Sequence, residues 1–518
     1  MLASFLLSGT AVAIAGLTEV PQLGNLETGV AATMVWKNAL AGYLALLTPL
    51  AVTAFALGLR RGGTIGVTIA AAVLTAAMFF TVSQAGWLSL GFGLALVFIL
   101  VAWGMRTSVW PLLRGVMFTV LLSAAAITAL LQAQGSKVTL DERTTPGIDR
   151  VAWNVPASAN YRLRYWETSV DIAAASPWLG VGLGNFTPWY TRRFRDPWLY
   201  TVSPHNYLLS LAVTAGFLAA ALFAAFVMSA ATKTVRWLRQ AKSVEPARMI
   251  LAVGWASAAG ALLAHGLVDL SLEVPAIHLL WWLSLGLLYA NVSANTEAKT
   301  LRPPRQFGQG VLALGSLGAT LLLLFADNWY QQAKTLPYFG TVEKRIQLLR
   351  RSRTMMPLSA DTAELLAETY WEAVLQHSGD RVTNQSAMLR MAQTAAALDP
   401  ISAHRQWYLG YTYFRAQTRL QRDWPQIIAH FQQAIAYDFH DPTYYQSLAE
   451  SYAATGRIAE ALHTVDTALG LYPPLDLGRI VYGGLIYEQL GLKEKLASLQ
   501  LLRERLQELN NEKATQQP

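Results

Sequence analysis

The sequence predicts an all-α protein: a polytopic transmembrane helix bundle of about nine spans with an ordered extracytoplasmic loop, followed by an α-solenoid. Three observations predict it. Long apolar runs are confined to residues 1–131 and 205–327, in a chain that is 53% hydrophobic and only 14% charged, where soluble proteins carry about 25% charged residues. Lysine and arginine gather in alternate short loops between those runs. The tail, from about 328, has ordinary soluble composition and an internal helical repeat.

A spanning helix needs roughly 20 mainly apolar residues. Nine segments qualify, near 3–18, 34–58, 64–83, 86–104, 112–131, 205–230, 248–270, 275–292 and 307–326. Residues 1–18 imitate a signal peptide, but no Lys or Arg precedes the apolar stretch to form a charged n-region, and the segment reads as a short first span. Arg60 and Arg61 share one short loop, Arg106 and Arg114 bracket a second, Lys233, Arg236, Arg239, Lys242 and Arg248 crowd a third, and Lys299, Arg302 and Arg305 mark a fourth. If the spans alternate, all four loops fall on one side, which the positive-inside rule makes cytoplasmic. The N-terminus is then cytoplasmic, and the loops at 18–33, 84–86, 132–204 and 271–274 face outward, with the tail outside the membrane.

The expected division is 1–131 transmembrane helices, 132–204 a large extracytoplasmic loop, 205–327 transmembrane helices and 328–518 an extracytoplasmic domain. A connection as long as 132–204 is functional or disordered. This one holds Trp153, Trp166, Trp178, Trp189 and Trp198, the amphipathic stretch RLRYWETSVDIAAA (162–175) and the cluster GVGLGNF (180–186). That composition does not suit a disordered linker and suggests a lid on the outer membrane surface.

In the tail, DPTYYQSLAESYAATGRIAEALHTVDTALGLYPP (441–474) spans 34 residues. Tyr445, Leu448, Ala449, Tyr452, Gly456, Ala461, Ala468 and Pro473 fall where a tetratricopeptide repeat (TPR) places its large and small packing residues. Two weaker copies precede it, each ending in Asp-Pro at 399–400 and 441–442, the second stretched around 416–425. A helical pair at 476–510 is expected to cap the array. Such arrays bury a shared core and offer a concave surface to partners.

The chain has no cysteine, which excludes disulfides, thiolate catalysis and cysteine-ligated metal. Zinc-protease, paired-aspartate metal, Walker and nucleophile-elbow motifs are lacking, and no metal or other cofactor is expected. The glycine cluster lacks the preceding strand and the acidic partner of a dinucleotide fingerprint and reads as a compact turn. His265 and Asp269, four residues apart, share a helix face. An intramembrane ionisable pair is a functional candidate, but nothing else polar converges on this one in the sequence, so an interhelical hydrogen bond is favoured. His205 stands at the outer mouth of a span, after Ser203 and Pro204. Ser203 or Thr201 is expected to cap the helix, with Pro204 in its first turn. Position alone leaves His205 as either an interfacial polar residue or a general base near neutral pH. Arg162, Arg164, Arg192, Arg193 and Arg195 add cations that suit phosphate, or, for the 192–195 cluster equally, lipid headgroups.

Four stretches over roughly 30–292 resemble the O-antigen ligase and Wzy-polymerase-like superfamily of bacterial membrane glycosyltransferases: WKNALAGYLALLTPL (36–50), TVSQAGWLSLGFGLALVF (81–98), YRLRYWETSVDIAAASPWLGVGLGNF (161–186) and SPHNYLLSLAVTAGFLAAALF (203–223). The last two are the specific ones. A C-terminal TPR array is a recurrent attachment in such proteins. The resemblance implies a multi-pass protein of the bacterial plasma membrane. Its implied reaction passes an undecaprenyl-diphosphate-linked glycan to a hydroxyl of a lipid, glycan or protein acceptor at the outer face, without metal and with inversion. By position, His205 would activate the acceptor and Arg162 would bind the diphosphate. Asn206 would orient the site. Trp166, Gly180, Gly182, Gly184, Asn185 and Phe186 would shape the loop. Arg164, Arg192 and Arg193 would supply further substrate contacts. Gln84 also falls in the implied substrate set, but it stands where the family has a second arginine, and Thr214 stands where the family has an acidic residue. Family members commonly have about twelve spans, which implies that helices are missing from this copy or that it is a shortened relative. The TPR array offers a surface to protein partners; no nucleic acid is expected. The alternative reading is a catalytically weakened member acting as a TPR-bearing scaffold in envelope polysaccharide assembly. A transporter would need polar residues buried along several helices and repeats within the membrane half, and the sequence shows neither.

Overall fold

In the computed structural model, residues 2–22, 29–34, 36–57, 61–104, 110–134, 155–193, 201–240, 245–293, 324–337, 341–417, 422–472 and 491–515 are described, with isolated positions between 315 and 322. Among these residues every regular element is a helix. The chain divides into two compact units, one of Met1–Phe186 with Thr201–Lys299, the other of Thr187–Tyr200 with Thr300–Pro518. The segment expected as one loop, 132–204, is thus shared between them.

The first unit contains α1 (Leu2–Glu19), α2 (Lys37–Ala54), α3 (Arg61–Phe80), α4 (Gln84–Gly104), α5 (Trp110–Gln134), α6 (Val155–Ala175), α7 (Phe186–Arg193, of which only Phe186 belongs here), α8 (Tyr207–Ala215), α9 (Phe217–Gln240), α10 (Pro246–Gly266) and α11 (Pro275–Ser293). Eight stretches among the described residues are long and apolar enough to cross a membrane: 2–19, 37–57, 61–80, 84–102, 110–132, 217–240, 246–266 and 275–292. The ninth expected span, 307–326, lies mostly outside the described residues.

Burial sorts these helices. Every residue of α2 from Ala39 to Ala54 is buried, and α2 packs on α3, α4 and α10. Leu40, Leu44, Leu47, Leu74, Met78, Trp255 and Leu262 form the shared core with Trp281, whose indole donates to the Ala259 carbonyl at 3.0 Å. A helix apolar all round belongs inside a bundle. Small residues let helices approach where apolar burial gives little driving force. At Gly42 an added Cβ would sit 2.9 Å from Ser271 Oγ and 3.2 Å from His265 Nδ1. By contrast, α9 shows Phe217, Leu218, Leu222, Phe226 and Met228 on its surface, as a lipid-facing helix should.

The sixth span corrects the sequence reading. A single helix over 205–230 is expected; the chain instead forms α8, breaks at Gly216 (φ 89°) and resumes as α9. The cap is also different. Asn206 Oδ1 accepts from Leu209 N at 3.1 Å, while Ser203 and Thr201 are engaged elsewhere.

The second unit is the expected solenoid. Its helices are α12 (Val342–Met355), α13 (Ala360–Leu375), α14 (Arg381–Leu398), α15 (Ala403–Ala416), α16 (Trp424–Tyr437), α17 (Pro442–Ala454), α18 (Ile458–Gly470) and α19 (Leu492–Thr515). They pair as hairpins, α13 with α14, α15 with α16 and α17 with α18, each pair stacking on the next. Ser359, Ser402 and Asp441 cap the first helix of each hairpin with a side-chain oxygen on a backbone N–H. In 441–474, Tyr445, Leu448, Ala449, Tyr452, Ala461 and Ala468 are all buried, as the repeat requires. The first helix of the expected capping pair falls outside the described residues; α19 is the second.

Charged groups tie hairpins together. Arg345 pairs with Glu372 in the interior, and Arg405 reaches Asp361, Asp399 and Glu364. His404 Nε2 lies 2.8 Å from Glu364 Oε1. That bond to the Glu364 carboxylate outweighs burial and raises the imidazole pKa. A raised value in the folded state stabilises fully below the unfolded value, about 6.5, and is lost as pH rises through the folded value. The His404 side chain is 53% exposed, so screening keeps the contribution under about 1 kcal/mol. Thermal unfolding of the full chain at acidic and alkaline pH should show a small loss of stability on going alkaline, and His404→Gln should remove that increment.

Candidate active site

The site is built on a turn after α10. The helix ends at Gly266, and Val268 N and Asp269 N both bond to the His265 carbonyl, at 3.0 and 2.8 Å. The turn buries Asp269 completely. Three elements converge on its Oδ2. Asn38, in the first turn of α2, donates from Nδ2 at 2.8 Å. Arg162, from α6, places NH2 at 3.9 Å. His205 places Nδ1 at 3.8 Å, an ion-pair separation too long for an ordinary hydrogen bond. Ser271 Oγ donates to the Asn38 carbonyl at 3.3 Å and ties the turn to α2.

The interhelical hydrogen bond expected of this pair is made by Asp269, to Asn38, but Arg162 and His205 also converge on the carboxylate, which the sequence spacing does not show. Among the described residues neither of the buried His265 ring nitrogens has a hydrogen-bond partner. Burial pushes the Asp269 carboxyl up, but His205, His265 and Arg162 more than offset it, and the group is held below its ordinary value.

His205 is fixed on several sides. Its backbone is left-handed, φ 53°, a conformation that costs a non-glycine residue about 1–3 kcal/mol. Its N–H donates to Ser203 Oγ at 3.1 Å, and Ser203 Oγ donates to Glu273 Oε1 at 2.7 Å. Thr201 Oγ1 donates to the Ser203 carbonyl at 2.8 Å. Burial pushes the Glu273 carboxyl up, with the Ser203 bond opposing. The Tyr165 ring, from α6, stacks on the imidazole at 5.7 Å and 26°. The His205 side chain is 24% exposed. With Nδ1 toward Asp269, Nε2 is turned away from the carboxylate.

The glycine cluster aligns α6 with α8. Val181 N and Gly182 N donate to the Val213 and Thr214 carbonyls at the end of α8, at 2.7 and 3.0 Å, and Phe217 N donates back to the Pro177 carbonyl at 2.8 Å. Those N–H groups are thereby committed to closing a helix end, and the compact-turn reading is the one the geometry fits. Asn185 Nδ2 closes the turn on the Val181 carbonyl at 2.8 Å. Thr214 Oγ1 turns back onto the Ser210 carbonyl at 2.6 Å.

The other predicted residues are distributed. Arg164 is exposed two residues from Arg162, a spacing that points elsewhere on the helix. Trp166 Nε1, on α6, is buried and has no hydrogen-bond partner among the described residues. Asn206 is the α8 cap. Gln84 opens α4 behind Ser83, whose Oγ accepts from Gly86 N at 3.1 Å; among the described residues no hydrogen bond or ion pair joins Gln84 to Asp269, Arg162 or His205. Arg192 and Arg193 belong to the second unit. There Arg192 lies over the Tyr437 ring at 3.9 Å, Arg193 over Trp189 at 4.8 Å, and Thr191 Oγ1 donates to the Tyr437 carbonyl at 3.0 Å. Arg195 lies outside the described residues. Asn38, Tyr165 and Glu273 received no role from the sequence, and Asp269 only that of an interhelical hydrogen bond. The signals were an ionisable residue bordering a span and the Asn38 segment already noted.

The family model described as O-antigen ligase matches residues 69–224, the stretch that carries Arg162, the glycine turn and His205. Residues 69–224 are an O-antigen ligase domain. Asn38 and Asp269, which meet Arg162 and His205, lie outside the matched stretch. No curated protein matches the chain. Among solved structures, a crystal structure of MamA is 19% identical, covering 34% of this chain and 92% of that one, with a TM-score of 0.22. A second, of a thermophilic TPR protein in Thermus thermophilus, is 18% identical, covering 41% and 94%, with a TM-score of 0.24.

Proposed function

We propose that the chain transfers a glycan from undecaprenyl diphosphate to an acceptor hydroxyl at the outer face of a bacterial plasma membrane. The observation that carries this reading is the meeting of a histidine and an arginine on one buried carboxylate. His205 takes the hydroxyl proton as the acceptor oxygen bonds to the anomeric carbon; the bond from that carbon to the phosphate oxygen breaks, and the diphosphate leaves with the electron pair. Asp269 stabilises the imidazolium that forms, and Arg162 stabilises the charge developing on the diphosphate. Attack from the face opposite the leaving group inverts the anomeric centre, and the residues named need no metal to do it.

The alternation of the spans under the positive-inside rule supports an extracytoplasmic TPR unit, whose repeats would offer a surface to a protein partner. The test is transfer from a lipid-linked donor by reconstituted protein. His205→Ala and Arg162→Ala should each lower transfer by about 10²–10⁴-fold with unchanged expression and melting. Normal transfer by the double variant would end the assignment of catalysis to these two residues, and no transfer by the unaltered protein would favour the TPR-bearing scaffold.

A further inference from the structure

The glycine turn exposes three large apolar side chains: Trp178 at 78%, Leu179 at 85% and Leu183 at 85%. Their backbone is held in place, since the turn is bonded at both ends to the α8–α9 break. Gly216 is committed to the same contact; a Cβ there would lie 2.2 Å from the Trp178 carbonyl oxygen. The three side chains are therefore presented by a fixed loop. Leaving this much rigid apolar surface in water is unfavourable, and such patches mark an interaction surface.

The occupant follows from α9. The Phe217 N–H to Pro177 carbonyl bond sets the turn against the first residue of that span, at the end opposite the basic cluster that begins at Lys233. From Phe217 to Gln240 the helix rises about 35 Å, enough to cross the roughly 30 Å hydrocarbon core. The exposed strip of α9, Met228, Phe226, Leu222, Leu218 and Phe217, runs up to the end opposite the basic cluster, where Trp178, Leu179 and Leu183 continue it. Tryptophan is also the residue favoured at the membrane–water boundary.

We infer that Trp178, Leu179 and Leu183 form a wedge inserted into the outer part of the bilayer beside the first turn of α9. The wedge holds the end of α6, and with it the glycine turn, at fixed depth in the membrane. This rests on exposure and on the bonding of the turn to the start of α9, and stands or falls apart from the transfer chemistry.

The cysteine-free chain permits a direct test. Leu183→Cys and Leu179→Cys, each labelled with an environment-sensitive NBD probe, are reconstituted into liposomes with lipids spin-labelled near the headgroup end of the acyl chain. Val382→Cys, at a position 69% exposed in the TPR unit, is the aqueous reference. Both loop probes should emit at shorter wavelength than the reference, be quenched by the spin-labelled lipid, and be several-fold less sensitive to iodide. Iodide quenching equal to the reference at both positions would overturn the wedge. Shielding from iodide without quenching by lipid would overturn it too, since protein would then cover the patch.

Discussion

Asp269→Asn is expected to reduce glycan transfer about 10²–10⁴-fold, a loss as large as that of His205→Ala, though Asp269 need never touch substrate. The carboxylate is the common partner of Asn38, Arg162 and His205. Asparagine keeps its size and can still accept from Asn38, so the fold should survive. It cannot supply the negative charge that fixes the imidazole tautomer, stabilises the imidazolium and holds the guanidinium. Residues acting as a unit are non-additive. The double variant Asp269→Asn/His205→Ala should therefore lose little more than either single one. Measuring transfer alongside thermal melting separates a positioning role from unfolding. Near-normal transfer by a well-folded Asp269→Asn would remove the carboxylate from the mechanism.

The largest effect on stability is expected at the break between α8 and α9. Gly216→Ala puts a Cβ into the Trp178 carbonyl at a φ of 89°, where neither backbone has room to move. A cost of roughly 3–5 kcal/mol is expected, from strain and steric clash together. Gly184→Ala is the control. Its φ of 78° is just as unsuited to alanine, but nothing lies within 4 Å of the added carbon, so only the roughly 1–2 kcal/mol of a left-handed residue is expected. Thermal melting of the two variants, with proteolysis of the 176–200 region, checks the contrast. Equal losses would mean that the turn does not hold the break together.

These two sites also show where the sequence stops being legible. The spans and the 441–474 hairpin could be read because each depends on spacing within one segment. The break at Gly216 could not. It sits within a continuous apolar run, and the carbonyls released there are satisfied by N–H groups of Val181 and Gly182, some 30 residues earlier. His205 and Arg162 were found because family motifs carry them. At Asp269 the spacing to His265 is legible, but the other partners are not: Asn38, Arg162 and His205 come from distant segments that only the fold brings together. The helix cap was placed too early in the chain for a related reason: Ser203 is a good cap by type, but its hydroxyl is taken by Glu273 and the His205 N–H, leaving Asn206 to do the capping.

The left-handed backbone at His205 carries a consequence for protein engineering. Asparagine and glycine accept that conformation more readily than histidine does, so either would relieve local strain while removing the imidazole. A library screened for thermal tolerance alone is thus biased against the one side chain on which transfer is proposed to depend. Stabilised forms of this protein should be sought with position 205 held fixed, or with turnover as a second filter.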